Sequence, residues 1–475
     1  MPRNPHPLTG RNARPPRSLR GYHGPVQLTR RHFLSAATLS AAALPTAAQP
    51  VRPPNVIFIM ADDLGYADIG CYGQKDILTP HIDSLSRDGL RFTQAYSGST
   101  VCAPSRCCLM TGRHTGHATV RGNQNPHVPL KPEETTLAQI FQRAGYKTGA
   151  FGKWGLGTMP DLHALPTRKG FDEFYGYLDQ NHAHTYFPDA LWDNEREVFL
   201  SENFGAQRKK YSHDLIADRA LKFIDKHHAS PFFLYAPFTP PHGRFEAPDD
   251  SPYSDKPWSP PHRFIASLIS RLDRSVGDIL ERLKRYNLER DTLVIFTSDN
   301  GPGVLAARQF KSNGPLRGFK RDMYEGGIRV PFLARWPGQI QPGTSNEVLA
   351  SWDMLPTFAD LTKQPAPKNL DGVSIMPALR GGKIKANENR VLYWEFFERG
   401  FHQAIRWQDW KAVRLKDGGK PGAPIELYNL ATDLGETTNL AAKEPKIAAQ
   451  MIKLMDSSRT PSPIWPNAAG SASEG

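Results

Sequence analysis

The sequence predicts an α/β protein, with a large, mixed, mostly parallel sheet flanked by helices and a smaller C-terminal antiparallel-sheet subdomain. Three observations lead to this class. Short, continuous apolar runs stand at 55–60, 231–236 and 292–297, the pattern of strands covered on both faces. Helical stripes alternate with them. Leu137, Ile140, Phe141 and Ala144 mark one over 134–144, and Ile265, Leu268, Ile269, Leu272, Val276, Ile279, Leu280 and Leu283 mark a longer one over 263–286. Buried strands alternating with amphipathic helices build a mostly parallel sheet. After about residue 390 the texture changes to short strand-like runs at 391–395, 403–406, 411–415 and 426–430. Gly418, Gly419, Pro421 and Gly422 mark a turn between two of them. A helix is expected over 445–456, and a frayed Ser/Pro/Gly-rich end from Ser457 onward.

Composition narrows the function classes. The chain has 475 residues, 39% hydrophobic and 22% charged, enough apolar material for a sizeable core. Its 42 prolines imply many turns and long surface connections. No apolar run is long enough to span a bilayer. Four cysteines (Cys71, Cys102, Cys107 and Cys108) are too few for a disulfide framework, and Cys71 is expected in the core. Of the net charge of +12, seven units come from Arg3, Arg11, Arg14, Arg17, Arg20, Arg30 and Arg31, in a stretch with no acid. The remainder is only mildly basic, so charge gives no support for nucleic-acid binding.

That basic stretch reads as an address. Arg30 and Arg31 precede Phe33 and Leu34, an Ala/Ser/Leu segment follows, and small residues come after Pro45. The order is that of a secretory signal, and the arginine pair that of a twin-arginine signal. Residues 1–48 are therefore assigned to a twin-arginine-type signal peptide, 51–385 to a catalytic domain and 386–475 to the C-terminal subdomain. A twin-arginine translocase is an expected partner, and the expected location is periplasmic or secreted. No stable membrane association is expected after processing.

Two acidic pairs sit where an α/β sheet places its ligands. Asp62 and Asp63 follow the first strand, and Asp299 and Asn300 follow the strand at 292–297. Ligands bind outside the carboxyl ends of such strands. Three carboxylates and an amide form a hard-oxygen set suited to Ca²⁺, and less well to Mg²⁺. Asp and Asn also serve as helix caps and turn residues.

The run Cys102-Ala-Pro-Ser-Arg106-Cys-Cys-Leu-Met-Thr111-Gly112-Arg113 resembles the signature of the formylglycine-dependent sulfatases, the arylsulfatase type of the alkaline-phosphatase-like superfamily. Other stretches match in family order: Asp62-Asp63-Leu-Gly-Tyr, Gly152-Lys153-Trp154-Gly155, Pro241-His242, Ser298-Asp299-Asn300-Gly301, Leu316-Arg-Gly-Phe-Lys320 and Glu426-Leu-Tyr-Asn-Leu430. The resemblance implies that Cys102 is oxidised to formylglycine by a formylglycine-generating or sulfatase-maturing enzyme. It implies a metal at Asp62, Asp63, Asp299 and Asn300, with residue 102 among its ligands. One hydroxyl of the hydrated aldehyde then attacks sulfur, and the second expels sulfate. Arg106 would hold the hydrate, Lys153 and Lys320 would neutralise the sulfate oxygens, and His242 or Lys320 would protonate the leaving oxygen. Cys102 would begin a helix, an anion-favouring position.

One position departs from the family pattern. Gly155 stands where many members carry a histidine that helps expel sulfate, and glycine transfers no proton. Polysaccharide sulfatases with Gly-Lys-Trp-Gly are similar here, and His184, or less so His182, is the candidate replacement. His114 and His117 flank the signature, and either is placed to reach sulfate or a hydroxyl. Tyr186, Phe187, Trp192, Tyr253 and Trp258 lie in polar loops, suited to stacking on sugar rings or to packing. The expected activity is exported hydrolysis of a sulfated carbohydrate, with a galactose or N-acetylgalactosamine unit as the leading choice. The alternatives are a sulfated-glycan binding protein with unmodified Cys102, and a related phosphonate or phosphate ester hydrolase.

Overall fold

The computed structural model describes residues 52–123, 127–415 and 423–466. Its main sheet has ten strands: β1 (Asn55–Ala61), β2 (Leu90–Tyr96), β3 (Lys147–Lys153), β4 (Glu173–Tyr177), β5 (Ala190–Asp193), β6 (Arg196–Phe199), β7 (Phe232–Pro237), β8 (Thr292–Ser298), β9 (Phe332–Arg335) and β10 (Gly343–Ala350). They lie in the order β10-β2-β9-β8-β1-β7-β3-β4-β5-β6. The centre, from β8 to β4, is parallel throughout, while β9, β5 and β6 pair antiparallel toward the two sides.

Both faces of the centre are covered, which is why its strands read as continuous apolar runs. Side chains alternate across the sheet. Val56, Phe58 and Met60 point into a core with Leu137, Phe141 and Phe358, and Ile57 and Ile59 point into a second core with Phe223, Ile265 and Leu272. The long stripe becomes the helix Pro260–Arg285. The shorter one becomes Leu137–Arg143, started by a capping box in which Thr136 and Gln139 exchange hydrogen bonds.

Register sets the place of the site. Ala61 pairs with Ser298, and Met60 with Pro237. The residues just beyond these ends (Asp62, Asp63, His242, Asp299 and Asn300) therefore emerge together at the carboxyl edge of the sheet. The Asp299-Asn300-Gly301 turn lies against Gly326 and Gly327, where a Cβ on Gly301 would stand 2.0 Å from the Gly326 carbonyl oxygen.

The small sheet is antiparallel, in the order β11 (Val391–Phe396), β12 (His402–Trp407), β13 (Trp410–Arg414) and β14 (Glu426–Asn429). The helix Pro445–Ser457 packs Met451 and Met455 against Tyr393, Ile405 and Leu427. Buried ion pairs join this sheet to the main body, Lys411 to Glu325 at 2.9 Å and Arg121 to Glu395 at 2.8 Å, and Lys411 also pairs with Glu436 of the same subdomain at 3.0 Å. The turn expected around Gly418–Gly422 and the signal peptide lie outside the described residues.

Two expectations need correction. The segment after Ser457 is not frayed as far as it is described. Trp465 is 1% exposed and donates Nε1–H to the Thr119 carbonyl at 2.8 Å, and Arg459 pairs with Glu395 at 2.9 Å. One large aromatic ring and one buried carboxylate hold down a segment of otherwise loop-like composition. Cys71, expected in the core, is only half-buried at its margin.

Candidate active site

Cys102 opens the helix Cys102–Thr111, and all ten of its residues are buried. Val101 provides no side-chain cap. Asn123 supplies one from a separate loop, accepting from the Ala103 N–H at 3.0 Å. The helix's positive end thus points at residue 102. On the next turn Arg106 donates Nη2–H to Asp299 at 2.6 Å and Nη1–H to the Lys153 carbonyl at 2.6 Å, and Nη2 lies 3.3 Å from Asp62.

The side chains expected from the strand ends converge around the cysteine. Its Sγ lies 3.4 Å from Asp62 Oδ1 and 3.6 Å from Lys320 Nζ. Lys153 donates to Asp62 at 2.7 Å, and Lys320 to Asp63 at 2.8 Å. Asn300 donates Nδ2–H to Asp63 Oδ1 at 2.8 Å, and the Asp63 N–H donates to Asp299 Oδ1 at 3.1 Å. Asp63 sits at φ 64°, a left-handed conformation that Asp tolerates better than most residues.

Electrostatics follow from this packing. Burial pushes the Asp62 carboxyl up, but the neighbouring cations, Lys153 first and then Arg106 and Lys320, outweigh it and hold Asp62 well below the usual carboxylate range. Asp63 is lowered in the same way, burial being outweighed chiefly by Lys320. Burial, then the Asp62 charge, pushes the Cys102 thiol up to about 12. Burial acts downward on Lys320, but the Asp63 charge raises it overall and keeps it an ammonium.

Asp62, Asp63, Asp299 and Asn300 suit a hard divalent cation. They offer oxygen donors only, and Asn300 Oδ1 is buried without a hydrogen-bond partner while its Nδ2 is engaged. Ligand atoms of Asp62, Asp63, Cys102 and His242 also lie within 4.8 Å of one another.

His184 and His242 stand over this floor with their rings stacked, 4.7 Å apart and 1° from parallel. His242 Nε2 is 3.7 Å from Asp63 Oδ2, and Nδ1 is 3.0 Å from the Gly243 carbonyl. Burial lowers His242 to about 3, and burial with the Lys153 charge lowers His184 to about 4. Both rings are neutral near pH 7 and able to accept a proton.

A cleft of about 470 Å³ opens above them, lined also by Asn123, Gln180, Arg321 and Glu398. None of these four stands in a motif of the sequence. Arg321 directly follows Lys320, donates to Glu398 at 2.7 Å, and so brings the small sheet's first hairpin to the rim. Gln180 follows β4 by three residues and stands two residues before His182, the one local signal that marked it.

Two other expectations resolve differently, and the choice left open for the loop aromatics falls to packing at two of them. His114 and His117 turn away from the cleft to Asp371, at 3.6 and 2.9 Å. The Gly116 N–H donates to His114 Nδ1 at 3.2 Å, which leaves that ring's proton on Nε2, facing Asp371. Tyr186 and Tyr253 are buried, and the Tyr186 hydroxyl donates to the carbonyls of Thr239 and His242, so both rings pack. His182 sets its ring edge against Tyr177.

Comparison with known proteins agrees with this geometry. The sulfatase family pattern matches residues 54–364, and the pattern for the C-terminal part of N-sulphoglucosamine sulphohydrolase matches 318–460. The chain is 34% identical to human arylsulfatase A, over 82% of this chain and 83% of that protein. It is 27% identical to the N-acetylgalactosamine-6-O-sulfatase of Bacteroides thetaiotaomicron, over 87% and 94%. The crystal structure of Ps i-CgsB in complex with k-i-k-neocarrahexaose superposes with a TM-score of 0.78 at 30% identity, covering 88% of this chain and 96% of that one. The chain belongs to the sulfatase family of sulfuric ester hydrolases.

Proposed function

We propose that the chain is an exported sulfatase that removes sulfate from a sulfated carbohydrate, with a galactose or N-acetylgalactosamine unit as the substrate residue. Residue 102 acts as formylglycine, made from Cys102 by a maturing enzyme. Ca²⁺ is held by Asp62, Asp63, Asp299 and Asn300, next to residue 102. Residues 51–385 form the catalytic part and 386–475 a C-terminal subdomain. The export assignment rests on the twin-arginine pattern at 30–34.

The observation that carries the reading is the charge arrangement around Cys102. Arg106, Lys153 and Lys320 are buried beside Asp62, Asp63 and Asp299. These charges offset one another, so a bound divalent cation leaves a positive surplus, placed at a helix N-terminus, that an anionic sulfate ester neutralises. The cation supplies Lewis acidity toward the sulfate oxygens. Arg106, fixed by Asp299 and the Lys153 carbonyl, orients residue 102. Lys153 and Lys320 face the transferred group. Lys320, an ammonium, gives the leaving sugar oxygen its proton, since His242 is neutral near pH 7. His184, a neutral imidazole beside His242, accepts a proton when sulfate is expelled and so replaces the side chain that Gly155 lacks. The carbohydrate assignment draws on the cleft's polar rim, Asn123, Arg321 and Glu398, and on the sugar sulfatase among the relatives.

A panel of sulfated mono- and oligosaccharides, with an aryl phosphonate ester as control, tests the reading. Sulfate release should be fastest from a sulfated galactose or N-acetylgalactosamine unit. Faster cleavage of the phosphonate, or no release from any sugar, overturns it.

A further inference from the structure

Past the wall that carries His184, the active cleft has a neighbour. A second cleft, of about 210 Å³, is lined by Asn181 and His184, which also line the first, and by Phe187, Asp189 and Arg244. The loop after β7 serves both. His242, Gly243 and Phe245 line the first cleft, and Arg244, between them in sequence, lines the second. Arg244 and Phe245 stand at φ 66° and 47°, two successive left-handed residues without a glycine. That conformation is costly for both side chains, and it goes with neighbouring residues turned to different clefts.

Arg244 is exposed and, among the described residues, makes no ion pair, hydrogen bond or ring contact. Arg208, which lies over the Phe187 ring at 4.6 Å, is instead held by Glu246 at 3.1 Å. Asp189 lines the same cleft as Arg244 without pairing with it. A guanidinium offers a fork of donors that matches an oxyanion, and a carboxylate accepts from hydroxyls. One unpaired cation and one carboxylate in a small cleft therefore suit a hydroxylated ring that bears a single anionic group. Because the two clefts share a wall, their occupants can be joined units of one chain.

We propose that the second cleft is a subsite for the sugar unit adjoining the one that loses sulfate, and that Arg244 determines specificity there by binding an oxyanion, sulfate or carboxylate, on that unit. The proposal deepens the carbohydrate reading of the active site and rests on it. The preferred substrate is then an oligosaccharide with anionic groups on successive units, not a singly sulfated monosaccharide.

Steady-state kinetics on three disaccharides test this. All carry the scissile sulfate on a galactose or N-acetylgalactosamine unit, and the adjoining unit bears a second sulfate, a carboxylate or no charge. Wild-type kcat/KM should favour at least one charged disaccharide over the neutral one by about tenfold, and the favoured one names the oxyanion. Arg244→Gln should bring that ratio within about twofold. Arg244→Lys, which keeps the charge and loses the fork, should keep part of it. A general loss of activity lowers the charged and neutral rates alike, so the ratio separates recognition from folding. Equal rates on all three disaccharides in the wild type, or an undiminished preference in Arg244→Gln, overturns the proposal. Calorimetric binding to Cys102→Ala covers the case of no turnover. A charged disaccharide that binds about tenfold tighter than the neutral one, and loses that margin when Arg244→Gln is added, upholds the subsite even where no sugar sulfate is cleaved, and it is then the hydrolytic reading that fails. Equal binding of all three overturns the subsite.

Discussion

Asp299 answers to two partners at once: its Oδ2 accepts from Arg106 and its Oδ1 from the Asp63 N–H. Asp299→Ala should therefore remove metal and activity together, read by metal analysis and sulfate release on one preparation. Full metal occupancy in that variant would contradict the proposed ligand set. Cys102→Ala should abolish turnover with little change in melting temperature, because it removes a reactive group from a helix start and only a small side-chain volume. His184→Ala should slow kcat with KM nearly kept. A raised KM at unchanged kcat would make His184 a substrate contact instead. At this scale the sequence was most legible where chemistry comes in runs. Asp62 with Asp63, Asp299 with Asn300, and Cys102 with Arg106 are adjacent or one helical turn apart. Gln180, Asn123, Arg321 and Glu398 come from four separate loops, and only the closed fold brings them together. His114 and His117 misled because nearness in sequence to the signature helix is not nearness to its N-terminus. They follow its far end.

Among elements, the three central strands were legible because both their faces are buried, which leaves an apolar run without alternation. The side strands were not. β6 is exposed along its length, and β10 is mostly polar and half-exposed, so neither carries an apolar signal. The helix Leu137–Arg143 is short, and its start depends on the Thr136 cap. Thr136→Ala should cost about 1 kcal/mol, seen as a lower denaturation midpoint with the active site unaffected. Turn geometry matters more near the site. Gly301→Ala forces a Cβ against the Gly326 carbonyl, so the Asp299-Asn300 turn must shift. Metal affinity should fall with activity while the global fold persists.

Across the whole molecule, the small sheet is attached through buried charge. Lys411 is fully buried between Glu325 and Glu436. Lys411→Met strips both carboxylates of that partner and should cost about 3–5 kcal/mol, measured by denaturant unfolding. A second global property is the pH dependence of stability. Burial pushes Asp273 up to about 6, against hydrogen bonds from the Ile82 and His81 backbone. Its unfolded value is about 3.9, so the folded chain holds a proton there that the unfolded chain has lost. Stability from this group is full below about pH 4 and falls as pH rises to about 6. Asp273→Asn should flatten that decline. The chain-level architecture was readable from the change of texture near residue 390, but the burial of Trp465 was not, since a lone aromatic in a Ser/Pro-rich tail gives no periodic signal.

The chemistry proposed for this fold depends on one residue being something other than what the gene encodes. A plain thiol at position 102, pushed up by burial and by Asp62, is a poor nucleophile near neutral pH and offers no second hydroxyl to expel sulfate. Mass spectrometry of the peptide containing residue 102, from enzyme purified out of a host with the maturing activity, tests this directly. The account predicts the aldehyde mass at Cys102, together with sulfate turnover by the same preparation. An unmodified thiol in a preparation that still turns over sulfate esters would contradict the mechanism, and a thiol with binding but no turnover would make the chain a sulfated-glycan binding protein.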